Sequence, residues 1–124
     1  MTQILILGEA WGRDEEAARA PFVGASGRLL RANLHRVGIN PAECHLTNCF
    51  NLRPQPNNDV VNLCGPKAEG IPGYPALAPG KYIRAEYASE LDRLAAEVTR
   101  VNPNIILCLG NTAIIAATRA KYPV

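Results

Sequence analysis

Ile4-Leu5-Ile6-Leu7-Gly8-Glu9-Ala10-Trp11-Gly12 decides how this chain is read, together with its continuation through Pro21-Phe22-Val23-Gly24 to Gly27. Four apolar residues stop at a glycine, and an acidic residue, a tryptophan and a second glycine follow. A continuous apolar run, unlike an alternating one, reads as a strand buried on both faces. A buried strand ending in a Gly-rich turn presents main-chain N–H groups and a few side chains at its carboxyl end, where open α/β sheets bind ligands. The charged loop after it closes on Pro-Phe-Val-Gly, and a helical pattern starts at Gly27-Arg28-Leu29-Leu30.

Outward from that corner, strands and helices alternate. Residues 3–7 are the first strand, and 8–24 a long loop with one short helical turn around Asp14, Glu15 and Glu16. Over 26–37, Leu29, Leu30, Leu34 and Val37 fall on one helix face, with Ser26 as N-cap and Gly38 just past the end. A second strand spans 45–50 and leaves into a polar loop that carries Arg53-Pro54. Glycines and prolines over 59–82 argue against regular structure there, and a loop this long is usually functional or mobile. Ile83, Tyr87, Leu91, Leu94, Val98 and Val101 make one helical stripe, stopped by Asn102-Pro103. Residues 104–109 read as a third buried strand, after which Asn111 or Thr112 caps a helix through Ala120. This order predicts one α/β domain over 1–124, a three-layer αβα arrangement with a central parallel sheet. Gly8, Asn48 and Gly110 then end their strands along one edge, the predicted site.

Composition bounds the partners. The 124 residues are 48% hydrophobic and 19% charged, with a net charge of +2, too mild to require nucleic acid and no bar to it. Arg28, Arg31, His35 and Arg36 cluster, and read as a solvated helix face. No apolar run is long enough for a membrane span, and the Met-Thr-Gln start lacks a basic n-region. Cys44, Cys49, Cys64 and Cys108 contain no CxxC pair, which predicts free thiols in a reducing cytoplasm.

Several chemistries fail on spacing. The 8–12 turn lacks both the three-glycine dinucleotide fingerprint and the Gly-Lys-Ser/Thr of a phosphate loop. Two histidines and scattered cysteines form no metal-ligand cluster, and Gly24-Ala25-Ser26-Gly27 is one residue short of a nucleophile elbow. What remains suits a planar base. Phe22 lies in a loop, where its ring can stack on a base, although it also reads as a loop-to-core anchor. Asn48 ends a buried strand, where its amide has both donor and acceptor for a pyrimidine edge, although it also reads as a strand-end cap.

Beyond these residue-level readings, the segment from Gly8 to Glu16, with Pro21-Phe22-Val23-Gly24-Ala25-Ser26-Gly27 and Leu30, resembles the first motif of the uracil-DNA glycosylase superfamily. It is most similar to the branch typified by thermophilic iron–sulfur enzymes, which reads Gly-Glu-Ala-Pro-Gly, acidic residues, then Pro-Phe-Val-Gly-x-x-Gly at the same spacing. Gly38-Ile39, Leu46-Thr47-Asn48, Asn51-Leu52-Arg53-Pro54, and Asn102-Pro103 followed by Ile105 to Ala113 agree in order. The resemblance covers nearly the whole chain and about the first two-thirds of the family's domain.

The resemblance implies roles. Phe22 would stack on a flipped-out uracil and Asn48 would read its polar edge. Gly8 and Ala10, with Glu9, would line the pocket and help place the attacking water. Trp11 would stand at the pocket mouth, and Arg53 and Asn111 would contact DNA. A glycosylase must extrude the base and hold it by stacking and edge hydrogen bonds, then stabilise the departing uracil anion.

Three departures qualify this. Trp11 replaces the family's proline. The cluster cysteines are missing, with Glu90 or a neighbour where one belongs, so no iron–sulfur cluster is expected. A His-Pro-Ser-type loop, whose histidine donates to the uracil anion, would lie beyond Val124, and neither His35 nor His45 stands in for it. Two expectations follow: a uracil-DNA glycosylase weak or inactive as this chain alone, or a silent member that keeps the fold and binds nucleic acid or a nucleobase. A remoter one is a Rossmann-like small-ligand domain. An apolar face left open by a missing strand would favour a homodimer.

Overall fold

A computed structural model describes residues 3–119. The elements in chain order are β1 (Ile4–Ala10), α1 (Arg13–Ala18), α2 (Ala25–Arg36), β2 (His45–Phe50), β3 (Cys64–Gly65), β4 (Tyr82–Ile83), α3 (Ala88–Val101), β5 (Ile105–Cys108) and α4 (Asn111–Thr118). The apolar run at the start forms the middle of a parallel sheet ordered β2-β1-β5. Its register sets Gly8 beside Asn48 and Leu7 beside Cys108, so the three strands end together, as the alternation of elements predicts.

Side chains alternate across the sheet. Leu5 and Leu7 face a core with Cys49, Phe50, Leu91, Leu94, Ala113 and Ile115, which places α3 and α4 on that side. Ile6 faces the other way and is fully buried, as is Gly8's surface beneath the Phe22 ring, which marks the side of α2. Each fully buried Leu, Ile or Phe contributes about 1.5–3 kcal/mol. Such residues concentrate on β1, the strand with neighbours on both edges.

The structure corrects five local readings. β1 runs on through Ala10, because Gly8 and Ala10 continue to pair with Asn48 and Phe50. The N-cap of α2 is Gly24, not Ser26: the Glu15 carboxylate already accepts from the Val23 and Gly24 N–H groups. Leu29 and Val37 are 64% and 70% exposed, since α2 turns Gly27, Leu30 and Leu34 inward instead. α3 starts at Ala88; Ile83 lies in β4, which pairs antiparallel with β3 inside the Gly/Pro-rich stretch. Gly110 caps α4 in place of Asn111 or Thr112, and Ala120 lies outside the described residues.

β5 also differs. Its Ile105, Ile106 and Leu107 are 50%, 36% and 38% exposed, so the apolar run is an edge strand only partly covered by the described residues. Among those residues no helix is long and apolar enough to cross a membrane.

Candidate active site

The strand ends open into a cleft of about 310 Å³ lined by Gly8, Glu9, Ala10, Trp11, Phe22 and Asn48, with Gly12, Glu15, Ser26, Gly27, Asn58 and Leu109 around them. Its volume lies at the small end of ligand pockets. Gly8 is the floor. A Cβ there would collide with Asn48 Oδ1 and stand 2.6 Å from Phe22 Cζ, so the amide and the ring converge over a position that only glycine leaves clear.

Asn48 is 2% exposed, and no described residue hydrogen-bonds its side-chain amide. The strand-end cap reading of Asn48 finds no such bond to support it. Trp11 Nε1 is buried without a partner among the described residues, while its main-chain N–H donates to Leu52 O at 3.0 Å.

Phe22 is held in an unusual backbone. Its φ is +56°, left-handed for an aromatic residue, which costs about 1–3 kcal/mol and persists only where surroundings over-determine it. Those surroundings are visible. Arg31 Nε donates to Phe22 O at 3.2 Å. The Glu15 carboxylate accepts from Gly12 N–H at 3.0 Å, Val23 N–H at 2.9 Å and Gly24 N–H at 2.7 Å, tying the start of the loop to its end. Burial alone would raise the Glu15 pKa, but these main-chain donors outweigh it and hold the carboxyl below its ordinary value. Gly27 completes the brace, because a Cβ there would run into the Phe22 main chain.

On the opposite side of β1, the Thr112 hydroxyl donates to Glu9 Oε2 at 2.7 Å, fixing a carboxylate at the cleft wall. Thr112 O accepts from Cys49 Sγ at 3.8 Å, and burial pushes that thiol up to about 12, so it stays neutral.

Six of the expected site residues thus meet in one cleft. Arg53 lies beside it, lining an adjoining cleft of about 380 Å³ that shares Gly12, Glu15, Ser26 and Asn58; its Nε donates to Asn58 Oδ1 at 2.6 Å. Asn111 lines neither, and its Oδ1 is buried without a partner among the described residues. His35 is exposed on α2, and His45 Nε2 lies 2.5 Å from Glu97 Oε2; neither lines the cleft. Sequence reasoning missed Glu15, Thr112 and Arg93. Glu15 alone had a local signal, an acid three residues after Gly12 at capping-box spacing.

Among the described residues no group of three or more His, Cys, Asp or Glu is placed to hold a metal ion. Cys44, Cys49 and Cys64 donate to three separate carbonyls, and Glu90, at the expected cysteine position, accepts from Asn51 N–H and pairs with Arg93. These residues do not fit a four-thiolate cluster.

A sequence profile described as the Uracil DNA glycosylase superfamily matches residues 1–122. This chain belongs to that superfamily. It is 31% identical over 115 residues to a type-4 uracil-DNA glycosylase of Archaeoglobus fulgidus, covering 90% of this chain and 45% of that protein. It is 29% identical over 113 residues to the type-4 enzyme of Thermotoga maritima, covering 91% and 47%. Over 67 residues it is 40% identical to the type-4 enzyme of Pyrobaculum aerophilum, covering 51% and 34%. The chain spans about half the length, or less, of these relatives. For a uracil-DNA glycosylase superfamily member, the parallel sheet with helices around it is the expected fold.

Proposed function

We propose that this chain carries the base-holding cleft of a uracil-DNA glycosylase, which hydrolyses the N-glycosidic bond of uracil in DNA during base excision repair. The observation that carries the reading is the meeting of the Phe22 ring and the unpaired Asn48 amide over Gly8. The ring offers a face for stacking on an extruded base, and the amide offers both a donor and an acceptor to its edge. The bond from C1′ to N1 breaks with its electron pair leaving on uracil. Water, placed by Glu9 and the main chain of Gly8 and Ala10, supplies the oxygen that bonds to C1′, and the proton it gives up neutralises the departed uracil anion. Trp11 walls the cleft mouth, and Arg53 and Asn111 contact DNA. The reading includes no cofactor, a cytoplasmic location, a single domain over 1–124, and a homodimer formed through the exposed β5 residues.

A second reading has its own observation. No histidine of the described residues lines the cleft, so a histidine donor to the leaving uracil is not among them. On that reading the chain binds a base without turning it over.

A uracil-containing single-stranded oligonucleotide, treated with the chain and then alkali, tests both. The expected outcome is slow scission at uracil and none at thymine. Asn48→Ala should lower it about 10²–10³-fold, as removal of one preorganised donor does. Phe22→Ala should weaken binding by roughly 1–3 kcal/mol of lost stacking. Salt-sensitive binding without scission supports the second reading, and neither binding nor scission overturns both.

A further inference from the structure

We infer that Arg93 is a positioning residue for the base-reading amide, because side chains of α3 take the place of a neighbouring strand along the outer edge of β2. This rests on the role proposed for Asn48.

Among the described residues β2 ends the sheet, and its outer edge has no ladder partner there. α3 covers that edge at its carboxyl end. Arg93 Nη2 donates to Asn48 O at 2.8 Å and to Cys49 O at 3.0 Å. One turn away, Glu90 Oε1 accepts from Asn51 N–H at 2.6 Å. A donor and an acceptor from one helix thus fix both polarities of the main chain over residues 48–51. The guanidinium is itself held, with Nη1 2.7 Å from Glu97 Oε1 and 3.2 Å from Thr47 Oγ1, and Nη2 3.3 Å from Glu90 Oε1.

Alternation along β2 gives the arrangement its purpose. Thr47 and Cys49 face α3 and α4, where Thr47 donates to Glu97 and Cys49 to Thr112 O. Asn48 therefore turns its side chain to the Phe22 face while Arg93 grips its carbonyl from the α3 side. The amide has no side-chain hydrogen bond among the described residues to orient it, so its aim depends on the main chain below. The planar fork of arginine can span two carbonyls and two carboxylates at once, which a lysine ammonium cannot reproduce.

The test compares wild type, Arg93→Lys, Asn48→Ala and the double variant on the uracil oligonucleotide, with urea midpoints alongside. Arg93→Lys should lower kcat at least tenfold and change KM less than threefold. The double variant should be no slower than Asn48→Ala alone, since a residue acting through Asn48 has nothing left to act on. In the free protein, the side-chain amide NMR signals of Asn48 should be one sharp pair in wild type and broadened or doubled in Arg93→Lys. That readout needs no activity. An inactive, non-binding wild type with the NMR change present would sink the glycosylase reading and leave the positioning role standing. Unchanged Asn48 signals, or rate losses that multiply in the double variant, would overturn the positioning role.

Discussion

Gly8 shows how much one missing methyl group decides. The Asn48 amide and the Phe22 ring both reach into the volume its Cβ would fill. Both obstacles are side chains, so Gly8→Ala is expected to fold and push one of them aside. Because misplacement on the ångström scale is costly to bound geometry, the expected loss is at least tenfold in binding of the uracil oligonucleotide. Fluorescence anisotropy would measure it, and wild-type binding by a folded Gly8→Ala would refute this geometry. That Phe22 and Asn48 would line the cleft was legible in the sequence, since a loop aromatic and a polar amide in a buried strand are out of place as core residues. Arg93 and Thr112 were not. Their contacts reach Asn48 O and Glu9 across 45 and 103 residues of chain, where no local spacing records them.

At the scale of elements, the loop between β1 and α2 behaves as a braced unit. Glu15 ties its two ends and Gly27 lets the Phe22 main chain lie against α2. Gly27→Ala sets a methyl group against backbone rather than against a movable side chain. The expected destabilisation is about 1–3 kcal/mol, the usual range for overpacking, read as a lowered urea midpoint. An unchanged midpoint would mean that the brace tolerates displacement. Element types were read well because buried strands and amphipathic helices carry periodic signals. Their ends were read poorly where a distant group intervened. Glu15 displaced Ser26 as the capping partner, and pairing with β3 drew Ile83 out of a helical stripe that its spacing with Tyr87 had implied.

For the molecule as a whole, two carboxylates in separate places set the response to acid. Burial would raise Glu97, but hydrogen bonds from His45, Thr47 and Arg93 outweigh it and hold the group below the ordinary 4.5. Glu15 is lowered in the same sense by its main-chain donors. A folded-state value below the unfolded one means the unfolded chain binds more protons, so stability rises with pH in that window. The contribution is complete above about 4.5 and is lost as pH falls through the folded values. Glu97, with its side chain only 15% exposed, should carry the larger share. Glu97→Gln is expected to flatten the fall in urea midpoint below pH ~4.5, and an unaltered slope would assign acid sensitivity elsewhere. The topology was legible because parallel strands and crossover helices leave few arrangements. The exposure of β5 was not, because an apolar run looks the same whether or not anything covers its second face.

The left-handed backbone at Phe22 has a consequence for how this lineage can drift. Glycine or asparagine would occupy that conformation with less strain, so relaxed selection would replace the aromatic there early. Persistence of a bulky ring at so unfavourable a backbone position is therefore a sentinel: it marks descendants in which the cleft is still in use.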